Sequence, residues 1–235
     1  MSPRPYRLGR RQGAIEKTRK RVLRAARDLL AVRGGADRFS IDAVARRAGV
    51  ARMTVYHQFG SRRGLLEALF DSFAVDGGLP NLLAGAFQRP DPHDTLAGVI
   101  MAFARFWEAG RTGIRRVRAL GVLDPELGDA LDARNQRRRE VVRAVVKRLT
   151  ERYGRPAPDE RAQVEEMLYT LTSFETFDTL AGPKRGLEEV APAILQLARA
   201  ATGLPPSIGK TLVRRDNKAG TRPVETGRRS LSTPR

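Results

Sequence analysis

The chain has 235 residues, 41% of them hydrophobic, a formal net charge of +18 and no cysteine. That length can bury the core of one domain or two small ones, and no apolar run reaches the roughly 18 residues of a membrane-spanning helix. Without a thiol there is no disulfide, thiolate nucleophile or thiolate metal site, and a reducing cytoplasm is compatible with the composition.

The charge is unevenly placed. Residues 1–65 hold 17 Lys and Arg against 4 Asp and Glu, and residues 203–235 hold 8 against 2. Residues 66–202 are near neutral, with 19 basic and 20 acidic side chains. Two polycationic ends on a neutral middle point to a polyanionic partner. The first twenty residues are basic with no apolar stretch behind them, so a secretory signal is not expected.

In chain order, residues 1–13 are rich in Pro, Gly and Arg and read as a flexible basic arm. From Ala14 to Val32, the positions Ile15, Val22, Ala25, Ala26, Leu29 and Leu30 keep helical spacing, and Gly34 and Gly35 end the helix. Ser40 stands where an N-cap belongs, before a second helix with Ile41, Val44, Ala45 and Ala48 on one face. Gly49 is the turn, a third helix runs from about Ala51 to Phe59, and Gly60 closes it. Ser61 caps a fourth helix bearing Leu65, Leu66, Leu69, Phe70 and Phe73.

A Gly/Pro break at residues 77–80 follows, then a stripe of Leu96, Ile100, Phe103, Phe106 and Trp107. A shorter segment spans Ile114 to Leu120, and Asp124 or Pro125 starts a long helix. The last two predicted helices run from Asp159 to Leu180 and from Leu187 to Ala201. The Arg-rich run from Arg134 to Arg143 lies inside the long helix and reads as an exposed face. Beyond Gly203 the composition is that of a disordered basic tail. No strand alternation appears, so the fold class is all-α.

The third helix shows what the basic end is for. With Val55 at zero on a wheel of about 100° per residue, Phe59 and Ala51 fall within about 40° of it. Arg52, Met53, Tyr56 and His57 then lie from about 60° to 200°, away from that apolar face. A cation, a thioether, a phenol and an imidazole are groups able to meet phosphates, base edges and thymine methyls. A turn glycine between two short helices suits a helix–turn–helix, in which the second helix enters the major groove.

The run from Thr18 to Phe70 resembles the DNA-binding domain of TetR-family transcriptional regulators, through "RVLRAARDLLAVRGG", "FSIDAVARRAGV" and "TVYHQFGSRRGLLEALF". The offsets Ala45, Ala48-Gly49-Val50, Thr54-Val55-Tyr56, Phe59, Ser61-Arg62 and Leu65-Leu66 carry it. The resemblance implies phosphate contacts from Ser40, Thr54 and Arg62, with Arg46 also a phosphate candidate. Arg52, Met53 and His57 would then face bases, and Tyr56 base or backbone. Ala51 stands where the family often has Ser or Thr, which removes a cap worth roughly 1 kcal/mol. Met53 stands where a small residue is common, which makes base contact there apolar.

The same resemblance implies an architecture of residues 14–73 as the DNA-binding domain, with the helix–turn–helix at about 40–59, and residues 74–202 as a helical ligand-binding and dimerisation domain. The expected partners are double-stranded DNA, a second copy of the chain and a small-molecule inducer, with no membrane partner and no cofactor. Phe103, Phe106, Trp107, Tyr169 and Phe174 are candidates to line the inducer pocket. The expected function is a cytoplasmic, homodimeric regulator, a repressor by family precedent. The alternative from charge alone is a sequence-indifferent architectural protein that coats DNA with its basic ends. An enzyme is not expected: the only histidines are His57 and His93, and no phosphate loop, zinc spacing or nucleophile motif is present.

Overall fold

Eleven helices and no strand make up residues 5–32, 38–154 and 158–203, the parts of the chain described by the computed structural model. All of them fall in one compact unit, Met1–Pro205. Gly34 and Gly35, residues 1–4 of the arm and the tail from residue 204 lie outside the described residues.

The first helix, α1 (Pro5–Ala31), is longer than its apolar periodicity predicts, because residues 5–13 of the expected arm are its opening turns. Pro5 suits a first helical position, where its missing N–H costs nothing, and Arg, Leu and Gln are good helix formers. α2 (Ile41–Ala48) starts at Ser40, whose Oγ accepts the Ala43 N–H at 3.2 Å. It ends in a Schellman motif at Gly49 (φ 62°), with Val50 N–H on the Ala45 carbonyl and Gly49 N–H on that of Arg46. α3 (Arg52–Phe59) has no side-chain cap at Ala51, as its composition predicts. α4 (Arg62–Asp76) is capped by Ser61, whose Oγ accepts the Gly64 N–H at 3.0 Å. Val22, Ala26, Leu30, Val44, Val55, Leu65, Leu66 and Leu69 are fully buried and lock these four helices together.

Two features depart from the periodicity. The Gly/Pro break holds a further helix, α5 (Leu79–Phe87), in which Pro80 occupies the first turn rather than interrupting it. The expected helix from Asp159 to Leu180 is two helices, α9 (Pro158–Leu171) and α10 (Phe174–Ala181). The break has a local and a tertiary cause. Ser173 caps α10 through the Thr176 N–H at 3.2 Å, while the Thr172 carbonyl accepts the Trp107 Nε1–H at 3.1 Å.

Between these lie α6 (Pro92–Ala109), α7 (Arg111–Leu123) and α8 (Pro125–Tyr153), and α11 (Leu187–Ala201) closes the described chain. Asp91 and Asp124 cap α6 and α8 through the His93 and Leu127 N–H groups. Phe70 of α4 meets Phe106 and Trp107 of α6 edge-on, at 5.7 and 6.4 Å between ring centroids. The first four helices therefore share one apolar core with those that follow.

Candidate nucleic-acid interface

The site is built by the turn at Gly49 and the two helices it joins. Val55 is fully buried and Phe59 nearly so, which anchors one side of α3. Arg52, Met53 and His57 are exposed, Met53 to 57%, and Thr54 is half-buried. An exposed methionine at the head of a short polar helix serves no core. Ala51, placed on the apolar side by the wheel, is exposed as the N-cap residue.

Tyr56 is half-buried: its ring packs on the core while its hydroxyl accepts the Arg52 Nη2–H at 3.2 Å. Arg52 also pairs with Asp42 of α2 at 3.3 Å. The Tyr56 hydroxyl and then the Asp42 carboxylate hold the Arg52 guanidinium above its ordinary value. This pairing offsets the charge of Asp42, which by itself would repel a phosphate, and pre-aims the cation.

Two contacts that periodicity does not reveal fix α3 against α1. Arg19 Nη1 donates to the Gln58 carbonyl at 3.3 Å, with its Cζ 4.6 Å from the Phe59 ring centroid. Gln58 Nε2 donates in return to the Ile15 carbonyl at 3.4 Å. The available signal was position: Ile15, Arg19, Val22 and Ala26 share one face of α1.

The other phosphate candidates differ in how free they are. Ser40 spends its hydroxyl on the cap of α2. Arg46 is exposed and has no side-chain partner among the described residues. Arg47 pairs with Asp28 at 3.4 Å. Arg62 turns back, its Nη1 on Asp124 Oδ2 at 2.7 Å and its Nε on the Phe39 carbonyl at 3.4 Å.

The pocket candidates are packed on one another. Phe103, Phe106, Trp107 and Phe174 are at most 4% exposed, and Trp107 lies 4.2 Å from Phe106, 5.7 Å from Phe174 and 6.1 Å from Phe103. Tyr169 stands apart, its ring flanked by the guanidinium carbons of Arg138 and Arg139 at 3.8 and 3.7 Å. The Arg134–Arg143 run is not a uniform exposed face. Arg134 grips Asp71 and the Glu67 carbonyl of α4, and Arg138 is buried. Among the described residues there is no cluster of three metal-ligating side chains, and no helix is long and apolar enough to cross a membrane.

Residues 22–69 match the family of bacterial regulatory proteins, tetR family. FadR of Bacillus subtilis, solved with stearoyl-CoA, shares 14% identity over 79% of this chain and 99% of its own, with a TM-score of 0.59. GusR of Salmonella enterica shares 19% over 80% and 96%, with a TM-score of 0.57. The TetR-family regulator PfmR of Thermus thermophilus shares 24% over 75% and 96%, with a TM-score of 0.52. No curated protein matches the chain. The solved structures speak for the fold, and the family match speaks for the helix–turn–helix at the place where α3 turns its polar side outward. Residues 22–69 are therefore a helix–turn–helix segment of the tetR family of bacterial regulatory proteins, set in a fold shared with solved transcriptional regulators.

Proposed function

We propose that the protein is a homodimeric repressor, acting in the cytoplasm, that binds a near-palindromic operator and is released by a small molecule. In this reading residues 14–73 are the DNA-binding domain and residues 74–202 the ligand-binding and dimerisation domain. The observation that carries it is the outward Arg52, Met53 and His57 on a helix whose Val55 and Phe59 are anchored beneath. One such head reads too few base pairs to find a genomic site, whereas two heads about 34–36 Å apart read both halves of a palindrome.

Met53 and His57 read bases, Arg52 reads bases from its Tyr56 and Asp42 mooring, and Tyr56 meets base or backbone. Ser40, Arg46 and Thr54 meet phosphates, and Arg62 joins them by exchanging Asp124 for a phosphate. α9 and α10 with α11 pair with their copies in the partner. Met167 and Leu197 are exposed apolar side chains on two of these helices, which supports that face.

The ligand enters beside Phe103, Phe106, Trp107, Tyr169 and Phe174. FadR of Bacillus subtilis is in complex with stearoyl-CoA, which supports a ligand for a domain of this fold. Because Phe70 of α4 packs on Phe106 and Trp107, parting the aromatic cluster moves α4 and with it the spacing of the heads. The ligand need only favour the released state by a few kcal/mol, about 5 for a near-complete switch.

Selection from random duplexes at fixed salt, followed by gel shift, tests the reading. A selected inverted repeat bound by two chains is expected. Binding without sequence preference would favour the architectural alternative, and one chain per site would exclude the dimer.

A further inference from the structure

Arg52 and Asp42 form an ion pair that stability alone does not explain. Arg52 is the first residue of α3 and Asp42 the second of α2, and Arg52 Nη1 stands 3.3 Å from Asp42 Oδ2. Their side chains are 57% and 53% exposed, so the pair contributes little to the fold. The cation is nevertheless held in place. Its Nη2 donates to the Tyr56 hydroxyl at 3.2 Å, and its Cζ lies 5.4 Å from the centroid of that ring, which packs on the core. This hydrogen bond uses one of the five N–H donors of a guanidinium. An oriented fork of donors therefore stays open at the start of α3.

The carboxylate decides what that fork can meet. The first residues of the second helix in a helix–turn–helix are those that reach base edges. A phosphate approaching Arg52 would also approach Asp42, and those two negative charges repel. A base edge is uncharged and carries no such cost. Guanine alone presents two acceptors side by side in the major groove, N7 and O6, which match the spacing of a guanidinium fork. Adenine sets an amino donor beside its N7, cytosine offers a donor, and thymine offers one acceptor beside a methyl.

We propose that Arg52 reads a guanine in each half of the operator, and that Asp42 is the positioning residue that keeps the guanidinium on the base edge and off the neighbouring phosphates. The proposal rests on the operator reading above and names one base of that operator. The Tyr56 hydroxyl steadies the fork from a half-buried ring, so Arg52 has less side-chain freedom to lose on binding.

The test starts from the duplex that the full chain selects from a random pool. Each guanine of a half-site is changed in turn to adenine, or to 7-deazaguanine, which lacks the N7 acceptor, and affinity is read by fluorescence anisotropy at several salt concentrations. For the wild type, one guanine per half-site is expected to lose about tenfold in affinity on change to adenine, the value of a bidentate base contact, and less on change to 7-deazaguanine. In Arg52→Ala that guanine should lose its weight while the other positions keep theirs, and Arg52→Lys should retain part of it. Asp42→Asn should lower the weight of the same guanine and steepen the slope of log K against log salt by about one, as the released cation takes a phosphate. Adding Arg52→Ala to Asp42→Asn should reverse that steepening. Both side chains are exposed, so melting temperatures should stay near that of the wild type, and circular dichroism confirms the fold of each variant. If Arg52→Ala weakens every duplex alike and flattens the slope by about one, Arg52 is a phosphate anchor and the proposal is overturned. An Asp42→Asn chain with the guanine preference and slope of the wild type overturns it as well. A selected inverted repeat with no guanine tied to Arg52 sinks the proposal and leaves the operator reading standing. If no sequence is selected at all, both fall together.

Discussion

Arg62 Nη1 and Asp124 Oδ2 meet at 2.7 Å, where the first turn of α4 touches the first turn of α8. Asp124 is at the same time the N-cap of α8, its other oxygen accepting the Leu127 N–H at 3.2 Å. One carboxylate thus holds both the start of a helix in the second half of the chain and a cation proposed for the operator. The pair is about one-third exposed on each side, so it contributes little to stability by itself.

Asparagine caps a helix as well as aspartate but carries no charge. Asp124→Asn is therefore expected to leave the melting temperature nearly unchanged while freeing Arg62. Operator affinity should rise by a few fold at low salt while the slope of log K against log salt stays nearly unchanged, because Arg62 meets a phosphate in both complexes and the variant only removes the cost of leaving Asp124. Titration by fluorescence anisotropy at several salt concentrations measures both. A slope steeper by about one in the variant would mean that Arg62 stays on Asp124 in the wild-type complex.

Gly49 makes the reading head sensitive to a single methyl group. Its φ of 62° lies in the left-handed region, and a Cβ there meets nothing within 4 Å, so the cost of Gly49→Ala is backbone strain alone. That cost is about 1 kcal/mol, or about 2–4 °C for a chain of this size. Gly49→Asn is expected to cost less, because asparagine tolerates that conformation. Thermal melts of the two variants check the order.

The legible parts of the fold are those whose cause lies within a few residues. Ser40 on Ala43, the Gly49 turn, Ser61 on Gly64 and the burial of Val55 and Phe59 all follow from local hydrogen bonding or helical period. What stayed hidden depends on partners far along the chain. The break between α9 and α10 is secured by Trp107, 65 residues before Thr172, and Arg62 meets Asp124 62 residues away. Arg138 sits among visibly charged neighbours, and only the packing of α9 on α8 shows that it is buried. Pro80 misled for another reason: one residue type both starts helices and breaks them, and position decides which.

Asp178 sews α7 to α10 and sets an acid limit on stability. It accepts from Arg111 Nε at 2.8 Å and from Arg115 Nε and Nη2 at 2.9 and 2.6 Å. Burial pushes its carboxyl up, but the hydrogen bonds from Arg115 and Arg111 together outweigh this and leave it below its ordinary value. The unfolded chain therefore binds the proton more readily. The contribution of Asp178 is complete above the unfolded value of about 3.9 and is lost as pH falls through the lower folded value. Asp178→Asn is expected to cost about 1–3 kcal/mol at pH 7, since Arg111 and Arg115 lose a charged acceptor. In urea unfolding from pH 7 to pH 3, the gap between wild type and variant should close only below about pH 4.

The proposed division of labour on the operator separates exposed side chains that sequence alone groups together. Arg46 is exposed, has no side-chain partner among the described residues and stands on α2, which in a helix–turn–helix crosses the backbone rather than entering the groove. Arg46→Ala should weaken binding to every duplex by a similar factor and reduce the salt slope by about one. Met53 and His57 are exposed on α3, the helix that enters the groove, and Met53 is uncharged. Met53→Ala should leave the salt slope unchanged and cost about 1 kcal/mol or more only on duplexes that offer a thymine methyl at its position. His57→Ala should likewise relax preference at one position of each half-site. Measuring affinity for the selected operator and for each single-base variant, at two salt concentrations, sorts the three residues. The same uniform loss for Met53→Ala as for Arg46→Ala would place α3 along the phosphates instead of in the groove, and the sequence-reading role of its outward face would not hold.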